Sequence, residues 1–358
     1  MRKTVSSIQF MRFVAATLVV LVHTTIGLGE YFTDSISKTF AHIAHVGGSG
    51  VHIFFVISGF VMIYTSFARP DAKFNSVNFF IRRLIRIYPI YFLYAAFYLY
   101  FYYTVAGGMN LSLGQLIGAI ALFPGYSSGI IGPGWTLAYE LYFYLCFGIA
   151  MILGLTRGIV ALTLFFLAAI ASGVVFDTGQ PTIHVLTNSL LIEFLAGAWI
   201  GYAAVRSVRI GNWLADTLVA LGLAGFMAGI VLGYNHVPAL LTWGVPSMLL
   251  VGGLVFRESN GRIPWPISKY AYMGDSSYSL YLLHIVLIDA VIFLALHLNA
   301  SLKIDPTAIG TFWWILILLA VTIYCIAVAL VSYELIERRL VLGLQGLYRK
   351  KAAAVPAE

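Results

Sequence analysis

The sequence predicts an all-α polytopic membrane protein with ten transmembrane helices and both termini cytoplasmic. Three observations carry that prediction. Of 358 residues, 61% are hydrophobic and 10% charged, with a mean hydropathy of +0.92, whereas a soluble domain carries about 25% charged residues. Apolar runs long enough to cross a bilayer recur along the whole chain. The basic residues also alternate between loops. With the N-terminus inside, the cytoplasmic segments hold 18 of the 21 Lys and Arg residues, the outside loops hold Lys38 and Lys303, and Arg12 lies within the first helix. Cytoplasmic loops are enriched in Lys and Arg, so an even helix count follows. The net charge of +7 is spread in these short clusters and forms no basic groove or tail, which gives nucleic-acid binding poor support.

The first apolar run, 8–28, follows a basic start and is interrupted by Arg12, with no clean small-residue cleavage site behind it; it reads as an uncleaved spanning helix. The second, 47–67, opens in a glycine-rich stretch. The third, 85–106, follows Arg82, Arg83 and Arg86 at its inner end, with Pro89 setting a rigid helix start. Residues 112–124 are apolar but too short to cross, and read as a re-entrant or interfacial piece. The fourth span, 134–154, begins after the break Gly132-Pro133-Gly134. Spans follow at 158–176, 184–204, 213–233, 238–256, 276–298 and 309–335. The chain then reads as one membrane domain, 1–340, and a short basic cytoplasmic tail, 341–358. Cys146 and Cys325 fall inside spans and read as packing residues, so neither a disulfide nor a cysteine metal site is indicated, and no metal is expected.

Ionisable groups inside spans are costly and mark functional sites by default. Counted from the helix ends, His23, His52 and Glu140 lie roughly 6–9 Å below the outer surface, on three different helices. Arg12 and His23 are eleven residues apart, almost three turns, which puts them on one side of the first helix about 16 Å apart along its axis. Arg82, Arg83 and Arg86 serve as positive-inside anchors on one reading and as bidentate phosphate ligands on another; Tyr88 and Tyr91 stand beside them. Trp135 and the tyrosines after it, Tyr139 among them, suit an aromatic belt, which leaves Glu140 unexplained. The glycines around Ser58 allow close helix approach. Glu193, Asp289 and His297 are left as structural or unassigned.

Taken together, these segments resemble the acyltransferase 3 family of membrane proteins, which includes O-antigen and exopolysaccharide O-acetyltransferases. Arg12 and His23 resemble its arginine, ten residues, histidine signature. Residues 48–60 resemble its glycine-rich segment, and Arg83, Arg86, Pro89 and Tyr91 its Arg-x-x-Arg-x-x-Pro-x-Tyr segment. Trp135, Thr136, Leu137 and Glu140 match its tryptophan-to-glutamate block, and Ser277, Tyr278, Tyr281 and His284 its late Ser-Tyr-x-x-Tyr-x-x-His block. One departure is Arg339, where the family usually has proline. The sequence reads as the stand-alone branch, without the fused esterase-like domain of some members, and is most similar to the exopolysaccharide enzymes.

The resemblance implies an O-acyltransferase of the inner (plasma) membrane, with acyl-CoA, expected to be acetyl-CoA, as donor and a glycan or lipid-linked oligosaccharide as acceptor. On that basis Arg82, Arg83, Arg86 and Tyr91 are candidates to hold the donor, and Arg12 to line the path of its pantetheine arm. His23 is the candidate general base or acyl carrier, because an imidazole can be neutral near pH 7. Glu140 is the candidate acid that orients it. His52, Ser58, Trp135, Tyr139, Tyr278 and His284 are candidates for substrate contact or support. A transporter or flippase is the competing class, and nothing in the sequence points to an oligomer.

Overall fold

The computed structural model describes residues 5–32, 45–68, 74–176, 178–232, 237–302 and 311–354. Arg2, Lys3, Lys38, Arg69, Lys73 and Lys303, which carry part of the charge argument, lie outside these residues. The described chain is helical throughout, with no strand among the described residues, and ten of its helices are long and apolar enough to cross a membrane.

In chain order the helices are α1 Ser6–Phe32, α2 Ser49–Phe67, α3 Ser76–Ala106, α4 Leu113–Ile120, α5 Trp135–Ala150, α6 Leu155–Val175, α7 Pro181–Leu186, α8 Leu191–Val205, α9 Asn212–Leu232, α10 Val245–Ser259, α11 Trp265–Tyr270, α12 Ser277–Leu302, α13 Thr311–Ser332 and α14 Arg338–Ala354. The eight-residue α4 is capped by a reciprocal Ser112/Gln115 box and is too short to span. The sixth span is broken, because α7 and α8 are separated at 187–190, where Asn188 Oδ1 accepts from the Leu190 amide at 2.9 Å.

Two helix ends differ from the hydropathy reading. The third helix begins at Ser76, with Asn75 accepting from the Asn78 amide at 2.8 Å as its cap, and runs 31 residues, about 46 Å. The arginines at 82, 83 and 86 are therefore inside a helix, and Pro89 lies in its interior instead of at its start. Membrane helices tolerate this because neighbouring groups satisfy the freed backbone. At the other end of the chain, a π-turn at Tyr333–Glu337 carries the backbone from α13 into α14, so the segment read as a tail is helical through Ala354.

Helix ends meet at one face in the order alternation demands. Ser6 and Ser7 at the start of α1 donate to Glu258 at the end of α10, both at 2.8 Å. Arg257 and Arg262 pair with Asp216 near the start of α9. Ser76 at the start of α3 donates to the Gly148 carbonyl near the end of α5 at 2.8 Å. This face carries Arg82, Arg157, Arg206, Arg262, Lys269, Arg338 and Arg349; among the described residues, the loops of the opposite face carry no Lys or Arg.

Lipid tails are as apolar as leucine, so helices in a bilayer associate through close packing and polar bonds. The tightest crossing is α2 on α8. A Cβ on Gly59 would lie 1.9 Å from the Phe194 carbonyl oxygen, and one on Gly197 would lie 1.9 Å from that of Val56. Around the crossing the rings of Phe55, Phe194 and Phe143 stack at 4.6 Å centroid spacing. A second close approach explains Gly274, whose Cβ would sit 1.9 Å from the Gln9 carbonyl oxygen, where the turn before α12 meets α1.

Candidate active site

A cavity of about 650 Å³ opens at the basic face between α1, α2, α3, α5, α12 and α14. Arg12, Arg82, Arg83 and Arg86, all singled out from sequence, lie in its wall, and Arg349 of α14 joins them. Arg12 Nη1 donates to Gln9 Oε1 at 3.2 Å, and Gln9 in turn donates to Asp275 Oδ1 at 2.5 Å. Arg83 donates to Thr65 Oγ1 at 3.0 Å, and its guanidinium lies 5.6 Å from the Phe79 ring centroid and 5.4 Å from that of Tyr144. These partners hold the guanidinium planes in place, which suits them to bidentate recognition of phosphate oxygens. Tyr278 lines the same cavity and donates to the Ile87 carbonyl at 2.9 Å, tying α12 to the arginine-bearing turn of α3.

Glu140 belongs to this cavity and not to His23. Its Oε1 accepts from Ser58 at 3.1 Å and from the Tyr144 hydroxyl, which places the carboxylate among the arginines. The expected His23–Glu140 pair does not form. Counting from a helix end misses how far neighbouring helices are offset, and the packing supplies that offset. Gly47 packs on Leu18 and Val22, and Gly50 on Ala15 and Val19. Continuing that register puts His52 opposite Ala15, about two turns or ~12 Å below His23, and Ser58, with Glu140 bonded to it, lower still.

His23 meets His284 instead. His284 Nε2 lies 3.3 Å from His23 Nδ1, with ring centroids 4.9 Å apart. His23 Nδ1 is also 2.8 Å from the Val19 carbonyl oxygen, and His284 Nδ1 is 2.8 Å from that of Tyr281. A carbonyl oxygen only accepts, so each Nδ1 carries the proton when the ring is neutral. His284 therefore presents a bare Nε2 to the Nδ1–H of His23, and the basic nitrogen of His23 is Nε2. Tyr281 links this pair to the cavity. It lines the inner end, its carbonyl holds His284, and its hydroxyl is tied to Thr136 Oγ1 at 2.8 Å and the Pro133 carbonyl at 3.2 Å.

His52 has its own partner, Glu193, with Nδ1 and Oε1 2.6 Å apart. Glu193 is fully buried and is roofed by Gly244 of the π-turn Leu240–Gly244. Sequence reading set Glu193 aside because its partner is 141 residues away. Tyr91, expected beside the donor, is fully buried and donates to the Ala119 carbonyl at 2.7 Å; it fastens α4 onto α3. Trp135 and Tyr139 pack edge to face on one another, and both pack on Phe55, as supports of the α2–α5 contact. Gln345 and Arg349 were missed because they lie in the segment read as a tail.

With this geometry in view, the chain can be placed among known proteins. The acyltransferase domain model of the acyltransferase 3 family matches residues 5–331. The chain belongs to the acyltransferase 3 family. It is thus a multi-pass membrane enzyme that transfers acyl groups. Among relatives within reach of this acyltransferase, the exopolysaccharide production protein ExoZ of Rhizobium meliloti (strain 1021) is 32% identical, covering 71% of this chain and 80% of that protein. The acyltransferase MdmB of Streptomyces mycarofaciens is 27% identical over 79% of this chain and 78% of that protein. Nodulation protein 10 of Rhizobium leguminosarum bv. viciae is 24% identical over 93% and 92%. No solved structure matches the chain.

Proposed function

We propose that this acyltransferase takes an acetyl group from acetyl-CoA at the cytoplasmic face of the inner membrane and transfers it to a hydroxyl of a cell-surface or secreted polysaccharide, or its lipid-linked precursor. The observation that carries the reading is the arginine-walled cavity, which opens at the basic face and is lined at its far end by Tyr281, whose carbonyl holds the His284–His23 pair. The similarity to a protein named for exopolysaccharide production supports a glycan acceptor. Enrichment of Lys and Arg at the basic face supports the reading that this face, and with it both termini, is cytoplasmic.

In this reading the nucleotide phosphates sit among Arg82, Arg83 and Arg86, and the pantetheine arm extends along Arg12 toward His23. The helix spacing between those two residues, about 16 Å, is a span that arm covers when extended. Tyr281 has to turn aside as the thioester passes. His23 Nε2 takes the proton of the acceptor hydroxyl while the oxygen attacks the thioester carbonyl. The C–S bond then breaks, and the same proton goes to the departing thiolate. His284 Nε2 accepts the Nδ1–H of His23 and stabilises the imidazolium that forms between those steps, the part an orienting acid plays in a triad. Glu140 offsets part of the cationic charge of the cavity wall.

The deciding experiment incubates purified protein in proteoliposomes with radiolabelled acetyl-CoA and an envelope glycan extract. Label in the glycan is expected; movement of glycan across the bilayer with no label would replace the enzyme reading with a flippase. The arginines are tested separately. Exchanging Arg83 and Arg86 together for alanine should weaken acetyl-CoA binding at least ~10-fold by removing charge-assisted phosphate contacts. Unchanged affinity in that double variant would reduce both residues to topology anchors.

A further inference from the structure

We infer that the C-terminal helix α14 is part of the donor site, and that Arg349 with Arg82 forms a subsite at the cavity mouth for the 3′-phosphate of the CoA ribose. This rests on the donor reading above. The helix lies beyond residue 331, where the family match ends, so nothing in that match assigns it a role.

Three observations place it there. Gln345 and Arg349, four residues apart and hence on one face of α14, line the cavity. Tyr348 donates to Asn78 Oδ1 on α3, and Asn78 lies one turn before Arg82. The base of the helix is also fixed. Glu337, in the π-turn, is 3% exposed and accepts from Ser279 Oγ at 2.6 Å, while Tyr94 lies within hydrogen-bond distance of both Ser279 and Ser332, at 2.9 and 2.7 Å. A polar anchor at each end therefore seats α14 across the opening.

The order of the cations then matches the order of groups along the donor. Asn78 is eight residues before Arg86 on one helix, so the level of Tyr348 and Arg349 lies about 12 Å outward from Arg86. An acyl-CoA that enters with its thioester toward His23 brings its diphosphate to Arg83 and Arg86. The ribose follows, and its 3′-phosphate is the last anionic group, at the mouth. Arg82 and Arg349 are the exposed arginines at that level. An anionic lipid headgroup offers the same chemistry to this pair and is separated from CoA by the test.

Equilibrium binding of CoA and of 3′-dephospho-CoA is measured on the full-length protein in nanodiscs, with and without anionic lipid, for wild type, Arg349→Ala and Tyr348→Phe. Wild type is expected to prefer CoA by about tenfold, the scale of a charge-assisted phosphate contact. Arg349→Ala should lose most of that preference while its affinity for dephospho-CoA stays at the wild-type level. Tyr348→Phe should lose part of it. Equal binding of the two nucleotides by wild type, or an equal loss for both in Arg349→Ala, overturns the subsite and leaves the donor reading standing. An Arg349→Ala effect that appears only with anionic lipid and ignores the 3′-phosphate assigns the pair to a headgroup and overturns it too. If wild type binds neither nucleotide, the donor reading falls and takes the subsite with it.

Discussion

His23→Ala is expected to lose acetyl transfer by at least ~100-fold, the lower end of what a positioned general base contributes, while the protein still inserts, purifies and binds acetyl-CoA. The separation of effects follows from where the residue sits. The cavity with its arginines is walled by residues of six helices, and His23 is not among them; it is linked to the cavity through His284 and Tyr281. Donor affinity and chemistry therefore belong to different residues. Single-turnover transfer from preloaded acetyl-CoA measures the second without the first. Retained transfer would remove His23 from the mechanism, whereas loss of binding along with transfer would make it a packing residue. His284→Asn adds a sharper arm. With no bare ring nitrogen against the His23 Nδ1–H, the imidazolium loses one of its two acceptors and keeps the Val19 carbonyl, and transfer should fall about tenfold with an unchanged donor Kd. A Glu140→Gln variant should behave oppositely, altering donor affinity more than the transfer step, because its carboxylate lies among the cavity arginines.

The span count was readable because the bilayer imposes one simple demand, some twenty consecutive apolar residues per helix. That demand is silent where a helix leaves the hydrocarbon. The first turns of α3 carry Arg82, Arg83 and Arg86 and look like a loop by hydropathy, yet the helix extends through them to Ser76. In the same way, α14 is too polar to register as a continuation of α13. The cavity arginines were legible one by one, since a cation in or beside a span demands an explanation. Which of them face each other was not. Side-chain partners depend on the offset between helices, and that is set by glycine contacts such as Gly47 on Val22 and Gly50 on Ala15, not by distance from a helix end. Three residues that seemed to share a depth thus separate into His23 with His284, His52 with Glu193 and Glu140 with Ser58. One signal for the α8 partner was present and passed over: Gly197-Ala-Trp-Ile-Gly201 is a Gly-x-x-x-Gly pattern of the kind that lets membrane helices approach closely.

That pattern yields the largest expected effect on stability. Gly59→Ala and Gly197→Ala each introduce a Cβ 1.9 Å from a backbone carbonyl oxygen of the facing helix. A side chain in the way could rotate; a backbone oxygen moves only if the helix does, so α2 and α8 must part along the whole crossing. Ordinary overpacking costs about 1–3 kcal/mol, and the cost here should exceed that range, because separation also pulls Phe55 from Phe194 and stretches the His52–Glu193 bond. With Glu193 fully buried, a carboxyl deprived of its imidazole has no water to replace it. Each variant should therefore give little monodisperse protein in detergent, with a thermal midpoint well below wild type. Gly343→Ala is the matched control: nothing lies within 4 Å of its would-be Cβ, it sits inside α14, and alanine there should leave stability unchanged or raise it by about 0.5–1 kcal/mol. A wild-type melting midpoint for Gly197→Ala would show that α2 and α8 do not cross at this contact, and would remove the close approach that brings His52 to Glu193.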